Sequence, residues 1–295
     1  MLPEFDLLRP KTLPEALAML AEDGAMPIAG GTNVIVDLRA GKHQPRTLID
    51  VTRLPGLRGI QRVNGHLVIS GGTTISDLLH DPLIAQQAPA LREAAQVFAN
   101  PLIRNRATVA GNLVDASPAA DTAPPLLALG AEVELSSRAG VRRVPLADFM
   151  VGVRKTERQP DELLTAVRLP VPPVGSASHF YKLGLRKADA ISVLSVAVAV
   201  TWDAAGFCTE ARIALGALAA RPLLATTAEQ ALLGQALTPV LIAEAARLAG
   251  DATRPIDDIR GTATYRREVT EVIVRRLLGK VLTMKSRHFG TEVLA

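Results

Sequence analysis

The segment Ala107-Thr-Val-Ala-Gly-Asn-Leu-Val-Asp-Ala-Ser-Pro-Ala-Ala-Asp121 consists mainly of small residues and lies between two halves of the chain that have clear secondary-structure patterns. Gly111 lets the backbone pass close to a ligand because it has no Cβ, and Pro118 fixes one φ angle. Short side chains that form hydrogen bonds occur at Thr108, Asn112, Ser117 and Asp121. The segment predicts a preorganised binding loop, although a surface loop without a ligand has the same composition.

A second glycine-rich segment, Pro27-Ile-Ala-Gly-Gly-Thr-Asn-Val34, follows a short apolar stretch and precedes a helical pattern that ends at Gly41. Backbone N–H groups at the start of a helix have no partner within it, and consecutive glycines allow such groups to converge on an anion. Tight packing of a strand-to-helix turn explains one Gly-Gly pair equally well. Two such segments in one chain favour a site for a phosphate-containing ligand.

These two segments resemble the two FAD-binding motifs of the flavin subunit of molybdenum hydroxylases. The matching residues are Ala29-Gly-Gly-Thr-Asn33 and Thr108-Val-Ala-Gly-Asn112, the latter followed by Ala116-Ser-Pro-Ala-Ala-Asp121. The family includes the medium subunits of xanthine dehydrogenase and carbon monoxide dehydrogenase, and the resemblance covers nearly the whole chain. It implies the FAD-binding fold of the vanillyl-alcohol oxidase type, with two α/β subdomains.

The resemblance also implies how FAD would bind. Residues 27–34 and 108–112 would wrap the diphosphate and the ribityl chain, and Asp121 would accept hydrogen bonds from hydroxyls. An N-cap role before Thr122 is an alternative for Asp121, and both roles could hold together. The expected FAD contacts are Pro27, Ile28, Ala29, Gly30, Gly31, Thr32, Asn33, Val34, Phe98, Thr108, Val109, Ala110, Gly111, Asn112, Ser117, Asp121, Leu164 and Lys182.

Three of these contacts are implied by the resemblance alone. Phe98 would lie beside the flavin, Leu164 would offer backbone contacts, and Lys182 would reach over from the second domain. Without the resemblance they would be interpreted as a core aromatic, a core aliphatic and an exposed lysine. A cation at residue 182 would favour the reduced, anionic form of the flavin.

The sequence departs from the family pattern at two places. Ala110 stands where the common second motif has a glycine, so we expect reduced backbone freedom and a slightly different loop position. Thr32 and Asn33 differ from the His-Ser of the carbon monoxide branch and favour the purine and heterocycle branches.

The resemblance implies partner chains, namely a large molybdopterin-binding subunit that carries molybdenum and a small subunit with [2Fe-2S] clusters. Electrons would pass from those clusters through the FAD of this chain to NAD or another acceptor. Cys208 is the single cysteine, which excludes an internal disulfide and a cysteine-ligated cluster within this chain. We expect no catalytic side chain here, because electron transfer needs positioning rather than an acid or base. We also expect no metal ligands, because the five histidines are scattered without ligand spacing.

Composition limits the other functions of this 295-residue chain. Lys and Arg number 33 against 29 Asp and Glu, the charges are interspersed, and aromatic residues are few, so no nucleic-acid partner is expected. No apolar run approaches the about 18 residues of a membrane span, and the first residues do not resemble a signal peptide, so we expect a cytoplasmic protein. Rossmann, Walker and H-E-x-x-H motifs do not occur.

Strand and helix patterns alternate irregularly, which predicts an α+β protein. Residues up to about 55 predict a β-α-β-α-β-like unit with the first glycine segment at the carboxyl end of a strand. Hairpins and helices are expected over about residues 56–175, including a type I′ turn at Asn64-Gly65.

Three prolines among residues 170–173 mark a linker, because such a run cannot join a central strand. We therefore expect residues 1–175 to form the FAD-binding domain and residues 176–295 to form a smaller C-terminal domain. Strands at Phe180–Leu185, Val193–Trp202 and Cys208–Leu215, followed by helices, predict a three-stranded sheet in that second domain.

Two other functions remain open from the sequence. The chain could be a non-catalytic nucleotide-binding assembly module, in which the glycine segments hold a ligand without redox turnover. It could also be a stand-alone flavin oxidase of the same fold, although neither glycine segment contains a His or Cys for covalent flavin attachment.

Overall fold

The computed structural model describes residues 2–289, and its first sheet has three parallel strands. The elements in chain order are β1 (Asp6–Leu8), α1 (Leu13–Leu20), β2 (Ala25–Ile28), α2 (Val34–Arg39) and β3 (Thr47–Asp50). The strand order is β1-β3-β2, which confirms the expected β-α-β-α-β unit. The residue bounds of β1 were not predicted, because its three exposed residues show no alternating pattern.

The second sheet has five antiparallel strands in the order β4-β5-β10-β6-β7. Its strands are β4 (Ile60–Val63), β5 (His66–Ser70), β6 (Glu132–Ser137), β7 (Gly140–Pro145) and β10 (Leu163–Pro170). Asn64 and Gly65 have φ angles of 48° and 76°, as the predicted type I′ turn between β4 and β5 requires.

Seven short helices and a small hairpin lie between the strands of this second sheet. The helices are α3 (Ile75–His80), α4 (Pro82–Gln87), α5 (Pro89–Val97), α6 (Pro101–Arg104), α7 (Val109–Asp115), α8 (Ala123–Ala128) and α9 (Leu146–Phe149). The hairpin strands are β8 (Met150–Gly152) and β9 (Lys155–Thr156). Proline at the start of α4, α5 and α6 fits the first turn of a helix, where its missing N–H costs nothing.

The C-terminal domain has a sheet of four antiparallel strands, so the prediction of three strands is wrong. The strands are β11 (Ser176–Gly184), β12 (Ser192–Trp202), β13 (Cys208–Gly216) and β14 (Leu223–Leu224), in that order across the sheet. β14 is only two residues long and directly follows Pro222, so its sequence shows no alternation. The helices that follow are α10 (Thr226–Leu232), α11 (Pro239–Asp251) and α12 (Ala263–Phe289).

The second sheet and the C-terminal sheet share one apolar core. Phe180, Ala197 and Ala214 of the C-terminal sheet belong to the same buried cluster as Leu67 and Val133 of the second sheet. The residues of α8 are all buried, and this helix packs against β12 and β13 of the C-terminal sheet. A Cβ on Gly216 would lie 2.4 Å from Ser195 Oγ and 2.7 Å from Pro124 Cγ, so the Pro124 ring of α8 packs directly on β13 where that strand has no side chain. The helix α8 therefore belongs to the apolar core that the second sheet and the C-terminal sheet share.

Across the described residues, the helices are too short or too polar to span a bilayer.

Candidate functional site

A cavity of about 950 Å³ lies where loops of all three sheets converge. The residues that the resemblance implies as FAD contacts line this cavity, except Ile28, Val109 and Lys182. Ile28 ends β2, and Val109 is fully buried at the start of α7. The two glycine segments, 76 residues apart between Gly30 and Arg106, thus meet at one hollow.

The first glycine segment joins β2 to α2. Gly31 has a φ angle of 73°, a conformation that favours glycine, and Asn33 is the N-cap of α2 without a side-chain hydrogen bond. The backbone N–H groups of Thr32 and Asn33 have no partner among residues 2–289, and both residues line the cavity. They are therefore available to an anion, as predicted for the start of a helix.

Gly30 lies directly against the backbone that leads into α7. A Cβ on Gly30 would lie 1.9 Å from the Arg106 carbonyl oxygen, and the Arg106 Nε donates to the Gly30 carbonyl oxygen at 3.0 Å. The absence of a side chain at residue 30 is what lets the two segments touch. This contact closes one side of the cavity.

The second segment is helical over Val109–Asp115, so the prediction of a binding loop over these residues is wrong. Thr108 is the N-cap, and its hydroxyl oxygen accepts a hydrogen bond from the Gly111 N–H at 3.1 Å. Glycine inside a helix costs about 1 kcal/mol relative to alanine, but packing of α7 against β10 outweighs that preference. Gly111 still lines the cavity as a residue without bulk.

A third glycine segment, the pair Gly71-Gly72, lines the cavity and was not predicted. A Cβ on Gly71 would lie 2.3 Å from the Leu164 carbonyl oxygen and 3.1 Å from the Ala110 Cβ. The Ala110 N–H also donates to the Gly71 carbonyl oxygen at 3.1 Å. The signal was present, since Ser70-Gly-Gly-Thr73 follows a predicted strand in the same way as Ala29-Gly-Gly-Thr32.

This contact corrects the expectation for Ala110. A methyl group at residue 110 needs no special backbone freedom, because the residue is helical, and it fits since Gly71 opposite has no side chain.

Asn112 fixes the geometry between α7 and α8. Its side-chain oxygen accepts hydrogen bonds from the Thr122 hydroxyl at 2.6 Å and the Thr122 N–H at 3.4 Å. Ser117 is engaged locally, since its hydroxyl oxygen accepts from the Ala119 N–H at 3.2 Å. The predicted polar residues therefore order the wall of the cavity as well as lining it.

Asp121 forms a buried ion pair with Lys182. The Lys182 Nζ donates to Asp121 Oδ2 at 2.6 Å, and the Ser192 hydroxyl donates to Asp121 Oδ1 at 2.7 Å. Burial raises the pKa of Asp121, and the ammonium of Lys182 opposes that rise. Thr122, not Asp121, is the N-cap of α8, so the alternative N-cap role for Asp121 is wrong.

Lys182 reaches over from the C-terminal sheet, as expected, but its partner in the structure is Asp121. Its side chain is 5% exposed, which excludes the alternative of a solvated surface lysine. Its position behind Asp121 explains why it does not line the cavity. The lysine therefore acts on the cavity through the carboxylate.

Arg154, which the sequence did not indicate, holds two elements together at the cavity. Its backbone has a φ angle of 54° in the turn between β8 and β9. Its Nη1 donates to Asp37 Oδ2 at 2.8 Å and to Asp115 Oδ1 at 3.0 Å. A hydrogen bond from Lys42 and the charge of Arg154 hold the pKa of Asp37 below its ordinary value.

The apolar part of the lining includes Phe98, Ile103 and Ile191. Phe98 is 9% exposed, so the interpretation as a core aromatic also holds. The neighbouring Ala99 and Asp189 have φ angles of 35° and 53°, and the Asp189 N–H donates to the Ala99 carbonyl oxygen at 3.1 Å. Such backbone strain in non-glycine residues is concentrated at functional sites.

The lining of this cavity fits FAD, the cofactor that the resemblance implies. Unpaired N–H groups at Thr32 and Asn33 suit a diphosphate, the Asp121 carboxylate suits hydroxyl groups, and the apolar lining suits a flat ring system. Within residues 2–289, no three His, Cys, Asp or Glu side chains converge as metal ligands.

Comparison with known proteins agrees with this geometry. Residues 3–172 match the family described as the FAD binding domain in molybdopterin dehydrogenase. Residues 179–281 match the family described as the CO dehydrogenase flavoprotein C-terminal domain. The two matches together span both parts of the structure that line the cavity.

Individual relatives cover most of the chain. The carbon monoxide dehydrogenase medium chain of Afipia carboxidovorans is 36% identical over 274 residues, 92% of this chain and 94% of that protein. A putative xanthine dehydrogenase FAD-binding subunit of Escherichia coli is 37% identical over 75% of this chain and 77% of its own length. The structure of reconstituted CO dehydrogenase from Oligotropha carboxidovorans includes a chain with a TM-score of 0.91 and 34% identity, with 96% and 99% of the two chains covered. The present chain therefore belongs to the FAD-binding medium subunits of the molybdenum hydroxylases, the oxidoreductase family of carbon monoxide dehydrogenase and xanthine dehydrogenase.

Proposed function

We propose that this chain is the electron-transfer subunit of a molybdenum hydroxylase complex and that it holds FAD in the cavity between its three sheets. The observation that carries the proposal is the contact of Gly30 with Arg106. It joins two distant glycine segments at one hollow and leaves the N–H groups of Thr32 and Asn33 unpaired beside it. A surface loop without a ligand would not require this close approach.

In this proposal the residues expected from the sequence are the FAD contacts, with revised roles for Gly111 and Lys182. Thr32 and Asn33 donate backbone N–H groups to the diphosphate, whereas Gly111 contributes space rather than a donor. Asp121 accepts hydrogen bonds from ribityl hydroxyls, and Lys182 neutralises it from behind. Gly71 and Gly72 are added to the set.

The proposed domain organisation follows the sheets. Residues 1–175 form an FAD-binding domain of the vanillyl-alcohol oxidase type, with subdomains of about residues 1–55 and 56–175. Residues 176–295 form the C-terminal domain, of which residues 290–295 lie outside the described residues. Each of these three parts contributes residues to the lining of the cavity.

The proposed partners are a large molybdopterin-binding subunit and a small [2Fe-2S] subunit. When bound, FAD supplies the redox chemistry, by which electrons from the partner clusters pass to NAD or another acceptor. The residues of this chain bind and orient the cofactor and exclude water from it. No proton transfer by a side chain is needed for that task.

Titration of the flavin-free full chain with FAD tests the cofactor assignment. We expect one FAD to bind per chain, with a visible flavin absorption band. A chain that binds no FAD, or binds it far below one equivalent, would contradict the proposal.

Reduction of the bound FAD tests the electron-transfer role. We expect the reconstituted complex to reduce it with the hydroxylation substrate, and NAD or a dye to reoxidise it. Bound flavin that never turns over would indicate an assembly module. Substrate oxidation by this chain without partners would indicate a stand-alone oxidase.

A further inference from the structure

The C-terminal domain holds the wall segment that contains Asp121 at two points. The Ala217 N–H donates to the Pro118 carbonyl oxygen at 2.8 Å. Three residues later, the Ser192 hydroxyl donates to Asp121 Oδ1 at 2.7 Å. Residues 118–121 are thus attached at both ends to the domain behind them.

The two attachment points are joined to each other by a charged cluster. The Arg260 Nη1 donates to the Ser192 carbonyl oxygen at 3.2 Å, and the Arg266 Nη1 donates to the Ala217 carbonyl oxygen at 3.1 Å. Asp258 accepts hydrogen bonds from both arginines, including one at 2.6 Å from the Arg260 Nη2. The hydrogen bonds therefore run in a closed ring from Asp121 through the C-terminal domain to Pro118.

Burial and charge both keep the hydrogen bonds of this ring intact. Ser192 is fully buried, Arg266 is 1% exposed, and the ring connects the end of β13 to the start of β12. Hydrogen bonds from Arg260 hold the pKa of Asp258 far below its ordinary value, so this carboxylate stays charged. Hydrogen bonds to charged groups are stronger than those between neutral groups.

Asp121 is the member of the ring that lines the cavity. Lys182 occupies Asp121 Oδ2 and Ser192 occupies Oδ1, which fixes the plane of the carboxylate. Each carboxylate oxygen has a further lone pair, so a ligand hydroxyl can still bind in a defined direction.

We propose that Ser192 and Arg260 are positioning residues of the FAD site. Arg260 holds the Ser192 backbone, and the Ser192 hydroxyl fixes the Asp121 carboxylate toward the ribityl hydroxyls. Neither residue lines the cavity, and the inference rests on the proposed binding of FAD by Asp121. It assigns a role in cofactor geometry to a charged cluster that lies outside the cavity.

The test compares Ser192→Ala with Ser195→Ala in the full chain. Both serines are buried on β12, but the Ser195 hydroxyl has no hydrogen-bond partner among the described residues, which makes it a matched control. We expect Ser192→Ala to raise the dissociation constant for FAD about tenfold, equivalent to about 1.4 kcal/mol, and Ser195→Ala to change it by less than about twofold. Visible circular dichroism of the bound flavin should change only in Ser192→Ala.

Three further variants separate positioning from loss of folding. Ser192→Thr keeps a hydroxyl and should recover most of the affinity and the flavin spectrum. Arg260→Ala should raise the dissociation constant about threefold. Arg267→Ala, at an exposed position in the first turns of α12, is the control for Arg260→Ala and should leave the dissociation constant for FAD unchanged.

Equal affinities and spectra for the Ser192→Ala and Ser195→Ala variants would overturn the inference. Failure of the unmodified chain to bind FAD would instead overturn the proposed function, so the two failures are distinguishable. A fall in thermal stability of Ser192→Ala with unchanged flavin affinity and spectrum would show a purely structural role and would also overturn the inference.

Discussion

Gly30 and Arg106 lie so close that a Cβ on Gly30 would be 1.9 Å from the Arg106 carbonyl oxygen. A distance this short cannot be relieved by a side-chain rotation, because the opposing atom belongs to the backbone. We expect Gly30→Ala to push the two glycine segments apart and to abolish stoichiometric FAD binding. Titration of the purified variant with FAD, followed by flavin absorbance, measures the effect.

Gly279→Ala is the control for this substitution. Gly279 lies in α12 with no atom within 4 Å of a Cβ built on it, so alanine should be neutral or stabilising there. Unchanged FAD affinity in Gly30→Ala would show that the contact is not needed for the site.

Removal of Lys182 should destabilise the protein through Asp121. Lys182→Met leaves a buried carboxylate without its cation, a change that typically costs about 3–5 kcal/mol. The double variant Lys182→Met/Asp121→Asn should regain most of that loss, because no buried charge remains. Urea unfolding of the two variants and the unmodified chain measures this, and an equally unstable double variant would contradict the explanation.

The same pair predicts the pH dependence of the Lys182→Met variant. Burial raises the pKa of Asp121 above its unfolded value, so the protonated carboxyl contributes stability that is lost as pH rises through the folded pKa. Without the opposing ammonium this pKa rises further. The stability deficit of Lys182→Met should therefore shrink as the pH is lowered, and a deficit that grows on acidification would contradict this.

Arg154→Ala should affect cofactor retention more than stability. The Arg154 side chain is 46% exposed, so its ion pairs with Asp37 and Asp115 should contribute no more than about 1 kcal/mol to folding. Those pairs nevertheless connect α2 to the end of α7 beside the cavity. We expect FAD to dissociate several-fold faster from the variant, as measured by dilution of the loaded chain.

Arg138→Ala, an exposed arginine in the turn between β6 and β7, is the control for Arg154. Equal dissociation rates for the two variants would show that the connection does not retain the cofactor.

Local patterns were sufficient to predict most of the fold. The parallel unit over the first 55 residues, the Asn64-Gly65 turn and the long strands of the C-terminal sheet each have a periodicity or turn chemistry that acts within a few residues. The strand β14 was not predicted, because two residues are too few to show an alternating pattern. The helix α7 was not predicted, because Gly111 disfavours a helix locally, whereas packing of α7 against β10 favours it.

The site was predictable only where one short segment carries the signal. Gly30, Gly31 and the start of α2 formed such a segment. The role of Arg154 depends on partners 117 and 39 residues away, and the Asp121–Lys182 pair spans 61 residues. Sequence spacing does not encode such contacts, so Lys182 was assigned by resemblance and Arg154 was not assigned at all.

Cys208 should be almost unreactive in the folded chain. Burial raises the pKa of its thiol from 9.0 to about 11, and the side chain is fully buried. Only about one molecule in a thousand would carry the thiolate at pH 8, whereas an unfolded cysteine is substantially ionised there. We expect a thiol reagent at pH 8 to modify the native chain at least about 100-fold more slowly than the urea-unfolded chain.

The raised pKa also sets the direction of the pH effect at Cys208. The protonated thiol contributes stability that is fully present below pH 9 and is lost as the pH rises through about 11. Cys208→Ala removes this titration, so its stability relative to the unmodified chain should increase across that window in urea unfolding. Rapid modification of the native chain at pH 8 would show that β13 opens at its first residue, because reaction requires both exposure and ionisation of the thiol.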